Sequence, residues 1–363
     1  MSVVDFGDGT IVTSLPAAVG DAVVAAEPLR HAQSNAAIGG IWRIKGSAGS
    51  AVLKLATPPA PETADAVWPT SDEPAHWNYW RRESLAYETG LAATAYGDEV
   101  TAPEVLQVSP RPDGKIELWL ADVGGAGGFD WPVPRLARFA YELGAGQARW
   151  AGQVPDAPWL SRRWLAQYLA AGPSRFVRID AADWDHPNVA AAWPTEVRRR
   201  LRRLWAGRDR MLAAAEAGER TLCHLDVWPA NLIDGNGASV LLDWAFTGEG
   251  AIGEDIANLI VDSFADGLMD VSLLPELEES VTDRYLEGLR DGGWPGSDDA
   301  VRAAIAACGA AKYSWLGPAR VGSAARDDLE RASYARDTDA VSRLQRLTDL
   351  VALIAGWAAS VPA

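Results

Sequence analysis

Residues 224–243 read HLDVWPANLIDGNGASVLLD, and this stretch decides how the chain is interpreted. Two short apolar runs, LI and VLL, flank the segment DGNGA, whose Asp, Gly and Asn residues are strong signals for a β-hairpin turn. A hairpin with its turn at residues 234–237 places Asn231 and Asp243 at the open ends of neighbouring strands, about 5 Å apart. The sequence therefore predicts that one hard cation can contact both side chains.

Asn231 and Asp243 offer an amide oxygen and a carboxylate, a pair that suits Mg²⁺ better than a transition metal, which prefers His or Cys ligands. Asp226 lies just before them, in a loop whose Pro229 prevents a regular strand from continuing. We therefore expect Asp226 to face a substrate from beside the metal. Each residue taken alone is equally typical of a turn cap, so their combination is what favours a catalytic site.

The pattern H-x-D-x-x-x-x-N, followed by an apolar hairpin and Asp243, resembles the catalytic loop and metal-binding segment of protein kinases. Leu225 stands where protein kinases have Arg, and Asp243 is followed by Trp-Ala instead of Phe-Gly. The closer resemblance is therefore to the aminoglycoside phosphotransferase and choline kinase family. It implies a protein-kinase-like fold in which Asp226 accepts the proton of an acceptor hydroxyl. Asn231 and Asp243 would hold Mg²⁺ in that fold.

Two further positions resemble supporting residues of the same family. His224 matches a histidine that supports the catalytic loop, and Asp255, in GEGAIGEDIANL, matches an aspartate that precedes a helix. The resemblance implies a scaffolding role for both residues. Cys223, beside His224, is interpreted as a small core residue.

The first third of the chain contains residues that this resemblance requires for handling phosphates. The apolar run AVLKLA places Lys54 in a predicted strand, where an unpaired ammonium group is costly and a partner is needed. Glu83, in WRRESLAY, resembles the family's glutamate that pairs with this lysine more closely than Glu88 does. We therefore expect Lys54, paired with Glu83, to hold the α and β phosphates of a nucleotide, although a surface salt bridge also explains either glutamate.

Two backbone features complete the predicted nucleotide site. SNAAIGGIWRIKG has the form of a loop between two strands, and its glycine pair allows the backbone to approach phosphates closely. This is not a strict G-x-G-x-x-G motif, and its position before the lysine strand is what favours phosphate binding. IELWLADV resembles the family's last sheet strand and hinge, whose backbone meets the purine base. The nucleotide-binding residues predicted from these features are Ser34, Asn35, Gly39, Gly40, Ala121 and Val123.

Secondary-structure signals divide the chain into three predicted parts. Residues 1–123 contain the β-rich runs IVTSL, IWRIKG, AVLKLA, PEVLQV and KIELWLADV and one helical segment, HWNYWRRESLAYETGLAATA. Residues 124–134, GGAGGFDWPVP, have the Gly and Pro content of a hinge. Residues 135–363 carry apolar residues at helical intervals. The predicted fold class is α+β and bilobal, with a small antiparallel-sheet N-lobe that binds nucleotide and a larger, mainly helical C-lobe.

Composition and charge exclude several partners. The chain has 363 residues and a formal net charge of −16, which opposes sequence-independent binding to nucleic acid or anionic membranes. It has two Cys without metal-binding spacing, acidic residues near its N-terminus and no apolar run that spans a bilayer, so we expect a cytoplasmic protein. The stretch VRRRLRRL is most simply an amphipathic helix whose arginines face water.

The implied reaction is transfer of the γ-phosphoryl group of ATP or GTP to a hydroxyl of a small molecule, with Mg²⁺ as cofactor. An aminoglycoside or other antibiotic, an amino sugar, a sugar and a nucleoside or nucleoside antibiotic all stay open as the acceptor. The acidic residues Asp262, Asp266 and Asp270 suit an amine-bearing acceptor, but a solvated face is the preferred interpretation. Trp228, Trp244 and Trp315 suit stacking on a sugar or nucleoside, although large aromatic side chains usually serve the core.

Two other classes of function remain possible. A non-catalytic nucleotide-binding regulator would share the fold, but the presence of every catalytic group argues against it. A metal-dependent hydrolase that uses Asp226 and Asp243 is disfavoured, because it leaves Lys54 and the glycine pair without a role.

Overall fold

The computed structural model describes residues 4–5, 11–12, 14–31, 34–61, 66–171, 182–235, 237–325 and 339–362. Residue 13 of the predicted strand IVTSL and residue 236 of the predicted hairpin turn lie outside the described residues. The described strands, in chain order, are β1 (Val4–Asp5), β2 (Ile11–Val12), β3 (Val23–Pro28), β4 (Ile38–Gly46), β5 (Ser50–Ala56), β6 (Val100–Thr101), β7 (Val105–Pro110), β8 (Ile116–Ala121), β9 (Arg220–Cys223), β10 (Leu232–Gly235), β11 (Ala238–Leu241) and β12 (Gly248–Ala251).

Most of the helices lie after β8 in the chain. In chain order they are α1 (Arg82–Glu88), α2 (Leu91–Thr94), α3 (Val133–Ala148), α4 (Trp164–Ala171), α5 (Pro187–Ala192), α6 (Thr195–Ala206), α7 (Arg208–Ala217), α8 (Glu254–Ala265), α9 (Leu274–Asp291), α10 (Asp298–Lys312), α11 (Leu316–Ala325), α12 (Ala340–Arg346) and α13 (Thr348–Ser360). An antiparallel sheet near the N-terminus and a helical C-terminal part confirm the predicted α+β class.

The N-terminal sheet has five antiparallel strands in the order β3-β4-β5-β8-β7. Alternation along β4 buries Trp42 and Ile44, which pack with Leu53 and Leu55 of β5 in a small core. Strand β3 was not predicted, because most of its residues are exposed and VVAAEP lacks an alternating pattern. The predicted strand IVTSL is present at Ile11–Val12, where β2 pairs with β1 in a separate two-stranded sheet and, among the described strands, not with the five-stranded sheet.

The predicted helix at residues 76–95 is shorter than expected and interrupted. Turns occupy the residues before α1, and Gly90, with a φ of 74°, separates α1 from α2. Trp77 is buried in one of those turns and does not lie on a helix face. The apolar residues that predicted one helix therefore lie partly in a compact turn segment and partly in α1.

The helical part surrounds the larger hydrophobic core. Helices α3 and α9 pack closely because Gly144 and Gly288 face the partner helix, where an added Cβ would lie 2.4 Å from the carbonyl oxygen of Tyr285 and 2.0 Å from that of Tyr141. The amphipathic helix predicted at VRRRLRRL lies in α6, and Gly207 separates it from α7. None of the helices in the described ranges is long and apolar enough to cross a membrane.

The hairpin of β10 and β11 connects the sheet region with the helical part. Its register pairs Leu232 with Leu241 and Gly235 with Ala238, and β11 also pairs in parallel with β6. Gly127, in the Gly-rich stretch, forms an antiparallel bridge to Ile233 of β10. The hairpin predicted from DGNGA is confirmed, and it positions the residues on which the candidate site depends.

Candidate active site

The open end of the hairpin holds Asn231 and Asp243 close together. The backbone N–H of Leu242 donates to the carbonyl of Asn231 over 2.8 Å, one residue beyond the last pair of strand residues. Pro229 starts a short 3₁₀ turn that ends at Asn231, so the loop leaves strand geometry where the proline requires it. The chain therefore returns Asp243 to the level of Asn231, as the spacing predicted.

Asp226 is held by the amide of Asn231. Asn231 Nδ2 donates to the Asp226 carbonyl and to Asp226 Oδ2, each over 2.9 Å. Burial raises the pKa of Asp226 to about 7, and the nearby charge of Asp243 adds to the effect. A carboxyl group that titrates near neutrality is suited to accept a proton and later release it.

Asp243 has the opposite environment because it lies against Lys54. Lys54 Nζ is 2.8 Å from Asp243 Oδ1 and 2.5 Å from Glu83 Oε2, and the Lys54 and Glu83 side chains are 8% and 7% exposed. Burial alone would raise the pKa of Asp243, but the ammonium group of Lys54 holds it below its ordinary value. The pairing of Lys54 with Glu83 that the sequence predicted is present, and Asp243 joins it.

The pKa values of Lys54 and Glu83 indicate how this buried cluster is charged. Burial alone would lower the pKa of Lys54, but the two carboxylates raise it above its ordinary value, so the ammonium stays charged. Burial raises the pKa of Glu83 to about 7 against the opposing effect of Lys54. One cation therefore serves two carboxylates, which leaves this cluster with capacity for further positive charge.

Asp255, at the start of α8, supports the loop that contains Asp226. Its carboxylate accepts the backbone N–H groups of His224 over 2.9 Å and Leu225 over 2.7 Å, and also Gln147 Nε2 over 2.8 Å. These bonds stabilise Leu225 at a φ of +69°, a left-handed conformation that is uncommon for leucine. Asp255 thus has the scaffolding geometry that the sequence suggested.

His224 also lies in a supporting position. The ring is fully buried and edge-on to Trp244, with ring centroids 5.1 Å apart. Burial lowers the pKa of His224 to about 4, so the imidazole is neutral at physiological pH. Trp244, which follows Asp243, is itself fully buried and stacks on Tyr96, so it serves the core and is not available to a sugar or base.

The predicted phosphate-contacting loop needs correction at Asn35. This side chain is 4% exposed, and its Oδ1 accepts the N–H of Ala37 over 3.1 Å and Nδ2 of Asn78 over 2.9 Å. Asn35 therefore fixes a turn inside the protein, and the prediction that it points to phosphate is wrong. Ser34, in contrast, is exposed, and its carbonyl accepts the N–H of Trp68 over 3.1 Å.

The glycine pair does not lie in the loop as predicted, but in the first residues of β4. Gly40 has a φ of +145° at a register shift between β4 and β5, and an added Cβ there would lie 2.0 Å from the Trp42 ring. An added Cβ at Gly39 would lie 2.5 Å from Thr57 Oγ1. Packing inside the protein therefore requires Gly40 to be glycine, whether or not it contacts phosphate.

The predicted hinge begins at the end of β8. The backbone N–H of Ala121 donates to the carbonyl of Glu104 over 2.8 Å, so this donor is not available to a purine base. Asp122 pairs with Arg43 Nε at 3.0 Å, and Val123 follows in the loop that leads to the Gly-rich stretch. The proposed contact with a base therefore falls to the backbone of residues 122–123.

The three acidic residues considered for amine recognition are engaged inside the protein or in a cap. Asp262 accepts the hydroxyl of Tyr313 and pairs with Lys312 at 3.5 Å. Asp266 pairs with Arg320 at 3.4 Å, and Asp270 caps the 3₁₀ turn at Ser272. The preferred interpretation of a solvated face is therefore wrong for Asp262 and Asp266, whose partners lie on α10 and α11.

Sequence reasoning missed the buried cations Lys312 and Arg82. Lys312 is 6% exposed and lies over the rings of Trp164 and Tyr313, and its charge reaches Asp226. A single charge after the small and apolar residues AAIAACGAA of α10 is a signal that could have identified it. Arg82, fully buried beside Glu83, gave no such signal, because arginine on a short helix is ordinarily exposed.

The donor set at the open end of the hairpin fits a hard cation such as Mg²⁺. Asn231 uses its Nδ2 on Asp226, so the amide oxygen remains as its acceptor atom, and the Asp243 carboxylate has more lone pairs than one ammonium contact uses. Across the described ranges, no group of three or more His, Cys, Asp or Glu side chains is arranged to hold a metal. A cation bound by these two protein oxygens would therefore need further ligands from water or phosphate.

Comparisons with known proteins identify a family for this chain. A sequence profile of the Phosphotransferase enzyme family matches residues 41–296. No curated protein sequence matches the chain. The solved structure of amicoumacin kinase hAmiN in complex with AMP-PNP, Ca²⁺ and Ami has a TM-score of 0.50 and 12% identity, and the match covers 90% of this chain and 87% of that one. This likeness shows the fold.

Two aminoglycoside phosphotransferases are also similar in structure. One is APH(3'')-Id from Streptomyces rimosus in complex with ADP and streptomycin, with 18% identity, a TM-score of 0.46, and coverage of 81% of this chain and 92% of that one. The other is a thermostable mutant of APH(4)-Ia in complex with AMP-PNP and hygromycin B, with 12% identity, a TM-score of 0.46, and coverage of 92% and 95%.

Proposed function

This chain belongs to the phosphotransferase enzyme family, and we propose that it transfers the γ-phosphoryl group of ATP or GTP to a hydroxyl group of a small molecule. The observation that carries the proposal is the contrast between two carboxylates in one cleft. Asp226 is held by an amide and has a pKa of about 7, whereas Asp243 is held by an ammonium and has a lowered pKa. Environments that separate two pKa values in this way distinguish a proton acceptor from a permanently charged ligand.

In the proposed mechanism, Asp226 orients the acceptor hydroxyl and accepts its proton as the hydroxyl oxygen bonds to the γ-phosphorus. The bond from that phosphorus to the leaving nucleoside diphosphate breaks in the same step. Phosphoryl transfer has a loose transition state, so a strong base is not needed, and positioning matters more than basicity. The two hydrogen bonds from Asn231 fix the orientation of Asp226, and the bonds from Asp255 fix the loop that carries it. The reaction then leaves Asp226 protonated, and its pKa near neutrality allows the proton to leave to solvent.

Asn231 and Asp243 would hold Mg²⁺, which supplies positive charge to the phosphates when bound. Lys54 would hold the α and β phosphates, with Glu83 keeping its ammonium in place. Ser34, Gly39, Gly40 and the backbone up to Val123 are proposed to surround the rest of the nucleotide. A cytoplasmic location and the division into residues 1–123, 124–134 and 135–363 also stay predictions.

The experiment is a phosphoryl-transfer screen with the purified chain. Candidate acceptors, including aminoglycosides, other antibiotics, amino sugars, sugars and nucleosides, are incubated with ATP or GTP and Mg²⁺, and products are detected as a mass gain of one phosphoryl group. We expect at least one hydroxyl-bearing acceptor to be phosphorylated by the wild type and not by Asp226→Ala. Phosphorylation that persists in Asp226→Ala would remove the role assigned to Asp226.

The same screen separates a kinase from a non-catalytic nucleotide-binding regulator. A regulator would bind the nucleotide with Mg²⁺ in calorimetry yet give no phosphorylated product with any acceptor. Nucleotide consumption without an acceptor product would instead indicate a hydrolase. Calorimetry with AMP-PNP is run in parallel, because it reports binding even when the correct acceptor is missing from the screen.

A further inference from the structure

We propose that Arg82 is a positioning residue, which holds the turn after Asp243 and the segment of residues 66–81 in fixed relation to the Lys54–Glu83 pair. This inference rests on the proposed function, because it assigns Arg82 to the same nucleotide and metal site. The segment of residues 66–81 lies between β5 and α1 and is called the strap below. Arg82 itself is the first residue of α1 and is 0% exposed.

The guanidinium group of Arg82 has all of its N–H donors directed at backbone carbonyl oxygens. A guanidinium has five such donors, one on Nε and two on each Nη. Nε donates to Trp159, Nη1 to Trp77 and Ala245, and Nη2 to Pro74 and His76, over distances of 2.8, 2.8, 3.1, 3.0 and 2.6 Å in that order. The acceptors match the planar fork of this side chain, and a lysine ammonium with three donors cannot reproduce them.

These five carbonyls belong to three separate chain segments, so Arg82 joins parts that are distant in sequence. Three carbonyls lie in the strap, one lies in the loop before α4, and one belongs to Ala245. Ala245 is two residues after Asp243, in the 3₁₀ turn Trp244–Phe246. The carbonyl groups at these bends are not paired within a regular helix or strand, and Arg82 supplies their donors.

Arg82 and Glu83 together hold Asp243 from two sides. Glu83 contacts Lys54, and Lys54 contacts the Asp243 carboxylate. Arg82 binds the main chain of Ala245, just beyond Asp243. The start of α1 therefore fixes both the side chain and the backbone direction of Asp243, whose φ of +60° is uncommon for a residue other than glycine.

The strap extends the effect of Arg82 to the loop before β4. Asn78, which is 1% exposed, donates from Nδ2 to Asn35 Oδ1, and the N–H of Ala36 donates to the carbonyl of Trp68. Gln167 of α4 is a second anchor of the strap, since it accepts the N–H of Trp77 over 2.9 Å and donates to the carbonyl of Ala75 over 3.2 Å. Loss of Arg82 should therefore disturb the approach to the phosphates as well as Asp243.

The electrostatic cost of burying Arg82 also favours a positioning role. Burial lowers the pKa of Arg82 to about 9, and none of its five hydrogen-bond acceptors is a carboxylate whose charge would offset this effect. Buried cations usually add little net stability compared with a well-packed apolar side chain. The bonds of Arg82 instead define where three segments lie, one of which carries a proposed metal ligand.

The test compares Arg82→Lys and Arg82→Gln with Arg111→Gln as the matched control. Arg111 is 10% exposed and pairs with the fully buried Glu117 at 2.8 Å. Glu117 pairs with Leu55 in the sheet, so it lies on the opposite face of β8 from Leu118, the partner of Lys54. Loss of Arg111 should therefore lower stability without reaching the cleft.

Binding of Mg²⁺ with AMP-PNP is measured by calorimetry, and kcat and both KM values are measured with an accepted substrate. We expect either Arg82 variant to weaken nucleotide binding about tenfold and to lower kcat by about tenfold or more, with the acceptor KM within about twofold of wild type. Arg111→Gln should keep all of these constants within about twofold of wild type while the Tm falls. Gln167→Met, which keeps Arg82 but loses the second anchor, should weaken nucleotide binding about threefold and supplies a readout if the Arg82 variants fold poorly.

Two results would overturn the inference. The first is Arg82 variants that lose Tm but bind AMP-PNP and turn over like Arg111→Gln, which indicates a purely structural residue. The second is unchanged nucleotide binding in Gln167→Met when the Arg82 variants do not fold. Failure of the proposed function looks different, because the wild type would then bind AMP-PNP without phosphorylating any acceptor, and the binding comparison would still be decisive for Arg82.

Discussion

The loop of residues 224–231 and the turn after β11 each carry one aspartate of the proposed active site, but the two aspartates have different nearest partners. Asp226 is held by the neutral amide of Asn231, and burial raises its pKa to about 7. Asp243 is held by the charged Lys54, which keeps its pKa below the ordinary value despite burial. Two identical side chains therefore carry different protonation behaviour, because one has an amide as its nearest partner and the other has an ammonium.

The difference teaches how a single cleft can supply both a proton acceptor and a permanent anion. Removing the Lys54 ammonium would raise the pKa of Asp243, and adding a cation beside Asp226 would lower the pKa of Asp226. The two carboxyl groups also affect each other, because the charge of Asp243 is one cause of the high pKa of Asp226. The following four predictions test that contrast, from the largest expected effect to the smallest.

Asp226→Asn and Asp243→Asn should separate turnover from nucleotide binding. For Asp226→Asn we expect kcat to fall by about 10²–10⁴-fold, because the proton acceptor is lost, while binding of AMP-PNP with Mg²⁺ stays near wild type. Asp243→Asn should lose nucleotide binding as well as turnover, since the anionic metal ligand is gone. Calorimetry and steady-state kinetics measure the two effects, and equal losses of binding in both variants would contradict the assignment.

The same two substitutions should change stability in opposite directions. A carboxyl whose pKa is raised on folding destabilises the native state increasingly as pH rises from the unfolded-state pKa to the folded-state pKa, and most strongly above it, so Asp226→Asn should gain about 1–2 kcal/mol at about pH 8. The gain should vanish at and below about pH 4, because Asp226 is then protonated in the unfolded chain as well as in the native state.

In the same measurement, Asp243→Asn should lower the free energy of unfolding. A carboxyl whose pKa is lowered on folding stabilises the native state at neutral pH and stops doing so only in acid, so this variant should lose about 1–3 kcal/mol at about pH 8. Urea unfolding across pH measures both arms, and a destabilised Asp226→Asn at pH 8 would break the comparison.

The pH dependence of catalysis should report Asp226. We expect kcat/KM for the acceptor to rise with a slope of one between about pH 5 and pH 7, because Asp226 must be ionised to accept a proton. Raising the Mg²⁺ concentration should move this limb to lower pH, since a cation near the cleft favours the ionised carboxylate. Rates measured at several fixed Mg²⁺ concentrations test this, and a flat profile would exclude a titrating base near neutrality.

Lys312 should have the smallest effect, because it acts on Asp226 through its charge from the end of α10. Its positive charge lowers the pKa of Asp226, so Lys312→Met should move the acid limb of kcat/KM to higher pH. At about pH 6.5 the rate should fall about two- to threefold and at about pH 9 it should match wild type. Lys312→Arg, which keeps the charge, is the control, and an equal loss at every pH would show that Lys312 affects packing and not the charge at Asp226.

Local patterns in the sequence were sufficient where the chain itself determines the contact. DGNGA predicts the β10–β11 hairpin because Asp, Gly and Asn favour turns, and the apolar run AVLKLA predicts a strand in which Lys54 needs a partner. The resemblance of residues 224–243 to kinase-like enzymes then predicted the fold class. These features depend on neighbours within about twenty residues, so they can be found by reading along the chain.

Other features depend on contacts between distant segments, and only the tertiary structure decided them. Strand β3 has no alternating pattern of its own and exists because β4 pairs with it, while Asn35 faces inward because Asn78 meets it across 43 positions. Arg82 is buried because carbonyl groups of three segments converge on it. The sequence by itself determined the fold class, the hairpin and the pairing of Lys54 with Glu83. Which aspartate holds a proton was decided by the fold, because a pKa depends on burial and on charges brought close in space.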